Sequence, residues 1–257
     1  MGRPWILVEN TLDDMRKLKP EVAVYPVGAV EPHGLHLPYG SDFFQAAHVA
    51  EESCRRAYEM GARVVALPAL PYGTNRQSFG FPFAMNIDPS VQLAVLRNII
   101  ESLEHSGVNK LVILNSHGGN DYKPMLRELS GTMKLFVCAI DWWRMSDMLK
   151  LWSKPDDHSG VMETSVNLFI NPQWVRVEKA ADGATAPIRF DALRTGYARF
   201  CRTWHHLTKS SASGDPSGAT AEAGRKFVEA ALDRISRFLK ELSDTPLDET
   251  FPFEPLH

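Results

Sequence analysis

The sequence predicts an α/β domain with a largely parallel sheet covered on both faces. Three observations carry this. Short β-branched runs alternate with longer runs of helical spacing along the chain. The first such run is closed by a glycine, as a buried strand turning into a loop would be. At 257 residues, 44% hydrophobic and 23% charged, the chain can bury a sizeable core and is not disordered as a whole.

In order, Glu21–Val27 (EVAVYPV) reads as a strand ending at Gly28. Phe43–Met60 reads as a helix with Gly61 as its stop. Arg63–Leu70 is the next strand. Asp88-Pro89 opens a helix that runs to about Ser106 and ends at Gly107. Lys110–Asn115 and Lys134–Asp141 are two further strands, and a helix follows Gly160. The last helix, Thr220–Leu242, places Phe227, Ala230, Ala231, Ile235, Phe238 and Leu242 near helical spacing. Residues Lys179–Pro216 carry no clear period and read as a long connection, a lid or an oligomer contact. There is no internal repeat, and a single domain is expected.

Net charge is −3, so no basic excess exists to hold a phosphate backbone and nucleic acid is not an expected partner. Cys54, Cys138 and Cys201 are odd in number and far apart, which is neither a disulfide framework nor a CxxC zinc pattern. The N-terminal apolar run spans only Trp5–Val8, too short for a secretory signal, and no stretch approaches a membrane span. A cytoplasmic location with no membrane partner is therefore expected.

Polar chemistry concentrates in three segments. Gly28–Asp42 (GAVEPHGLHLPYGSD) gathers Glu31, His33, His36 and Asp42 in a glycine- and proline-shaped loop after the first strand. These are ligand types of catalytic zinc and manganese sites. The carboxyl end of a strand in an open α/β sheet is where ligands bind. Asp42 also admits a capping reading, since Gln45 follows three residues on. Asn115–Asn120 (NSHGGN) puts His117 after another strand. It reads as part of a site, as a tight turn, or as the oxyanion loop of a serine esterase, although no G-x-S-x-G elbow occurs. His158–Ser165 (HSGVMETS) pairs a histidine in a polar loop with Glu163 in a first helical turn, where Glu is also a favourable dipole partner. His48 and His105 fall in helices and read as structural; His205, His206 and His257 lack ligand-like company.

Taken in order, these segments resemble the creatininase (creatinine amidohydrolase) family of metal-dependent amide hydrolases. The first is similar to that family's E-x-H-G-x-H-L-P-x-x-x-D loop. The second resembles its N-G-H-G-G-N turn with Ser116 in place of the usual Gly, and the third its H-x-G-x-x-E-T-S motif. Gly214-Asp215-Pro216-Ser217 with Ala219-Thr220 and Glu222 is similar to a C-terminal G-D-P…A-T-x-E stretch.

The resemblance implies a three-layer α/β/α fold and two divalent ions, zinc and/or manganese. It places Glu31, His33, Asp42 and His117 at ligand positions, with Asp42 bridging, and His158 as a catalytic histidine. Creatininase proper carries a metal-binding Glu where this chain has Gly119, so a carboxylate is missing from the set. Glu163 is the expected replacement and Asp141 its rival. His36 is expected to orient the substrate or a ligand.

The implied activity is hydrolysis of a small, perhaps cyclic, amide, with His158 as general acid. The alternatives are a formamide hydrolase of cofactor biosynthesis, a non-catalytic binding protein on the same scaffold, and a metal-independent serine hydrolase using Ser116. The resemblance also implies a homo-oligomer, often a hexamer.

Overall fold

A computed structural model describes residues 2–147, 152 and 156–254. The elements run α1 (Leu12–Leu18), β1 (Val22–Val27), α2 (Ser41–Glu59), β2 (Val64–Ala66), α3 (Pro89–His105), β3 (Lys110–Asn115), α4 (Tyr122–Leu129), β4 (Phe136–Asp141), β5 (Asp156–His158), α5 (Val161–Ile170), α6 (Asp191–Arg194), α7 (Trp204–Leu207), β6 (Ser213–Gly214) and α8 (Ala221–Asp244). The main sheet is parallel, in the order β2-β1-β3-β4.

Period-two alternation divides the strand side chains between two cores. Val22, Val24, Val64, Ala66, Val112 and Leu114 pack with residues of α2, α5 and α8 on one face. Ala23, Tyr25, Val65, Leu111 and Ile113 pack with residues of α3 and α4 on the other. The result is one three-layer α/β/α domain. No helix among the described residues is long and apolar enough to cross a membrane.

The chain leaves β1 for β2 on one side, then returns to lay β3 on the other side. The order therefore reverses between β1 and β3, and a crevice opens there at the carboxyl ends of the strands. Gly28 brings α2 to this edge. A Cβ on Gly28 would lie 2.5 Å from the backbone nitrogen of Phe43, so only glycine lets the start of α2 approach the end of β1 this closely.

The sequence expectations hold with local differences. The second strand is Val64–Ala66 rather than Arg63–Leu70, because after Ala66 the chain keeps only an isolated bridge, Val27 to Leu70. Neither α1 nor α4 is apparent from the apolar pattern. Asp42 does not cap a helix: the cap position of α2 is Gly40, without a side-chain cap, and Asp42 lies inside the first turn. His158 stands on β5, paired antiparallel with β6, rather than in a loop. Within residues 179–216, α7 and the preceding Cys201 and Arg202 fold back over the crevice. The C-terminal G-D-P…A-T-x-E stretch is structural: Gly214 pairs with Asp156, and Thr220 caps α8 through Ala223 N–H.

Candidate metal centre

Six side chains converge on the crevice. Glu31 and His33 come from the loop after β1, Asp42 from α2, His117 from the turn after β3, His158 from β5 and Glu163 from α5. Ser159, between the last two, has a φ of 56° and turns the chain so that both face inward. Its N–H donates to Glu163 Oε2 at 2.5 Å. A left-handed serine costs roughly 1–2 kcal/mol, tolerated where the surroundings over-determine it. Glu31, His33, Asp42 and His117 are 4% exposed or less.

Each of three imidazoles is oriented by a main-chain carbonyl. His33 Nδ1 meets Glu31 O at 3.1 Å, His117 Nε2 meets Thr74 O at 3.1 Å, and His158 Nε2 meets Pro32 O at 2.9 Å. A carbonyl only accepts, so those ring nitrogens carry the proton. The opposite nitrogens face carboxylates. His33 Nε2 lies 3.1 Å from Asp42 Oδ1, and His117 Nδ1 lies 3.0 Å from Glu31 Oε1 and 2.9 Å from Asp42 Oδ2. His158 Nδ1 is 4.0 Å from Glu31 and 3.9 Å from Glu163, while Glu163 Oε1 is 4.0 Å from His33 Nε2. Lone pairs of neutral imidazoles aimed at carboxylate oxygens repel unless a cation lies between them. Carbonyl-anchored histidines beside carboxylates are the usual surroundings of a bound metal.

Protons meet the same demand for positive charge. Burial works against a charged His33 ring, but the charge and hydrogen bond of Asp42 outweigh it and raise the pKa to about 10. Against burial, Glu31 and Asp42 likewise raise His117. Burial opposes charge on Asp42 and Glu31 too, but His33 holds Asp42 down and His117 holds Glu31 down. A raised histidine stabilises the fold fully below its unfolded value of 6.5, and that contribution is lost as pH rises through about 10. Depressed carboxylates act above their ordinary range and lose their contribution in acid. With a chelator present, the melting temperature is therefore expected to fall as pH rises from 6.5 to 10. A flat profile over that window would show that these rings are not held charged.

The other sequence candidates are placed as follows. His36 is buried but turned away from the cluster, with Nε2 2.9 Å from Thr164 Oγ1. Burial, with His33 second, lowers its pKa to about 4, so the ring is neutral. Asp141 accepts from Asn115 at 2.9 Å and takes no part in the cluster. The Ser116 hydroxyl accepts from the Trp142 indole at 2.9 Å, while the inward nitrogen of His117 faces Glu31 and Asp42. No histidine hydrogen-bonds Ser116 among the described residues, which removes the base that a serine nucleophile needs. At Gly119 a Cβ would lie 2.4 Å from His117 Nε2 and 2.5 Å from Thr74 O, so a glutamate cannot stand there without moving the carbonyl that orients His117. His48 and His105 do lie in helices, and His257 lies outside the described residues. Residues with ligand atoms within 4.8 Å of one another form the groups Glu31–Asp42–His117, His33–Asp42–Glu163 and Glu31–His33–His158. They open on a cavity of about 630 Å³.

The creatininase family profile, described as creatinine amidohydrolase, matches residues 9–239. The chain belongs to the creatininase family. It is thus a hydrolase of a family whose members differ in substrate. A mycofactocin precursor peptide peptidase of Mycolicibacterium smegmatis is 29% identical over 241 residues, 89% of this chain and 90% of that protein. A creatinine amidohydrolase of Pseudomonas putida is 28% identical over 244 residues, covering 86% and 89%. A Bacteroides fragilis crystal structure named for creatinine amidohydrolase superposes with a TM-score of 0.90 at 32% identity, covering 97% of this creatininase-family chain and 100% of that one.

Proposed function

We propose that this creatininase-family chain hydrolyses a carbon–nitrogen bond of a small amide with the help of two divalent ions. The observation that carries the reading is the three carbonyl-anchored imidazoles turned toward three carboxylates. The donor set, imidazole and carboxylate in a buried cluster, fits zinc or manganese, ions named for creatininase structures of the same fold. Glu31, Asp42 Oδ2 and His117 Nδ1 would hold one ion, and His33 Nε2, Asp42 Oδ1 and Glu163 the other. Asp42 would serve both ions, since its two oxygens face different imidazoles. The ions would supply a carbonyl-polarising charge and a water acidified towards neutrality.

The protein supplies position and protons. His158 presents Nδ1 to the cavity and would carry the proton that the departing nitrogen needs. Thr164 follows Glu163 on α5, so its bond to His36 fixes the helix turn that carries Glu163. His36 is thus a positioning residue. Trp143, Met162 and Trp204 give the cavity apolar walls, and Trp204 packs 5.0 Å from His158 between ring centres.

The similarity to a peptidase, with a cavity of about 630 Å³, supports a second reading in which the bond lies in a short peptide. The test is turnover of creatinine, lactams, formamides and short peptides by protein loaded with zinc or manganese. Hydrolysis of a formamide in preference to the other substrates would favour the formamide-hydrolase reading. Absence of metal uptake would favour a binding protein on the same scaffold. Glu163→Gln is expected to lower bound metal from two equivalents towards one, measured by elemental analysis. Two equivalents retained would remove Glu163 from the ligand set.

A further inference from the structure

Gln45 stands one turn after Asp42 on α2 and lines the same cavity. It is 2% exposed, and its amide nitrogen has no hydrogen-bond partner. The capping role that its spacing from Asp42 suggests is excluded, since the cap position is Gly40. A buried amide left unpaired weakens a fold, and an apolar residue of the same size would not carry that cost. Its retention here points to a partner that arrives with the ligand.

Ser116 lines the cavity as well. A hydroxyl has one proton and two lone pairs. The indole N–H of the fully buried Trp142 occupies one lone pair, and among the described residues the proton has no hydrogen-bonding acceptor. The usual glycine of the family motif would leave that indole N–H unpaired, which accounts for the serine.

We propose that the Gln45 carboxamide, together with the Ser116 hydroxyl, recognises an amide group of the substrate and so sets specificity rather than cleaving the bond. Beyond the residues assigned to the ions, the lining carries both signs of charge, Asp156 and Asp157 with Arg144 and Arg202, so the neutral carboxamide adds hydrogen-bond pairing rather than charge. A carboxamide offers both a donor and an acceptor, which match the carbonyl and N–H of a second amide. The ligand class is a planar amide, lactam or ureide with one amide face free beside the scissile bond.

This inference rests on the metal-hydrolase reading, and the experiment separates the two. The full chain and Gln45→Met are loaded with zinc. Calorimetry then measures two probes that both bind zinc: acetohydroxamate, which carries an amide-like group, and azide, which does not. Gln45→Met is expected to keep its zinc and its azide affinity, to melt at the same temperature or higher, and to bind acetohydroxamate about 5–10-fold more weakly, the size of one neutral hydrogen bond. Equal acetohydroxamate affinity in the two proteins, or none in either while azide binds, overturns the assignment. Failure of the unaltered chain to take up zinc and azide overturns the metal reading beneath it.

Discussion

Asp42→Ala is expected to abolish metal retention and reduce hydrolysis to background. The expectation follows from where its two oxygens point. Oδ1 meets His33 Nε2 at 3.1 Å and Oδ2 lies 2.9 Å from His117 Nδ1. Removing the carboxylate withdraws a ligand from both proposed ions at once, whereas the other donors each serve one. The effect is clean because Asp42 is not a helix cap, so α2 keeps its start in the variant. Without metal, loss of the buried anion also leaves two imidazoles facing one another across the cluster. Breaking a buried pair in this way costs about 3–5 kcal/mol. Elemental analysis and a thermal melt with chelator separate the two consequences. Full metal content in Asp42→Ala would remove the bridging assignment, while an unchanged melt would show that the imidazoles are not charged in the chelated protein.

Much of the fold is legible because one signal dominates it. A strand buried on both faces must be apolar and β-branched, and LVIL within Lys110–Asn115 or VAV within Val22–Val27 has few other readings. The long helices α3 and α8 carry both a period and end signals: Asp88-Pro89 opens one and Thr220 caps the other. What stays hidden lacks that redundancy. Helix α4 has eight residues, of which Tyr122, Met125 and Leu129 are buried, too few to establish a period. β5 and β6 are held by each other and by tertiary contacts, so no local pattern announces them. The run Arg63–Leu70 is apolar enough for a long strand, but β1 offers it a ladder only over Val64–Ala66.

The site was legible residue by residue for a different reason. Glu31, His33 and His117 lie in loops after strands and Asp42 in the first turn of α2, where chain reversal at β1 and β3 opens the crevice. Resemblance to a family motif supplied their grouping. What sequence could not supply is direction. His36 belongs to the same motif as His33, yet it turns to Thr164 because the loop folds its ring against α5. Gln45 was visible only as a helix-cap partner. Nothing in its spacing distinguishes that role from a seat in the cavity, and only the observed start of α2 does so. The orienting carbonyls of Glu31, Pro32 and Thr74 leave no trace in a sequence, because any residue provides one.

His158→Ala is expected to retain both ions and to lose turnover by roughly 10²–10⁴-fold, the range for a general acid. Three features separate this ring from His33 and His117. Its inward Nδ1 lies 3.9–4.0 Å from the nearest carboxylates, beyond hydrogen-bonding range, whereas the inward nitrogens of the other two lie within 3.1 Å of one. It is the most exposed of the three, at 9%, and it lines the cavity. It is held by Pro32 O behind and by the Trp204 and His33 rings at 5.0 and 4.4 Å, which fix its plane without occupying Nδ1. A nitrogen so placed is free to deliver a proton. The opposing possibility is that His158 completes a ligand group with Glu31 and His33, whose ligand atoms lie within 4.8 Å of one another. Two measurements decide. Metal content should be unchanged in His158→Ala, and loss of an ion would move it into the ligand set. The defect should also depend on the leaving group. An amine departs only with a proton, whereas an activated aryl ester does not need one. His158→Ala should therefore cleave such an ester far closer to the unaltered rate than it cleaves an amide. An equal loss on both substrates would mean that the ring positions the site rather than supplying the proton.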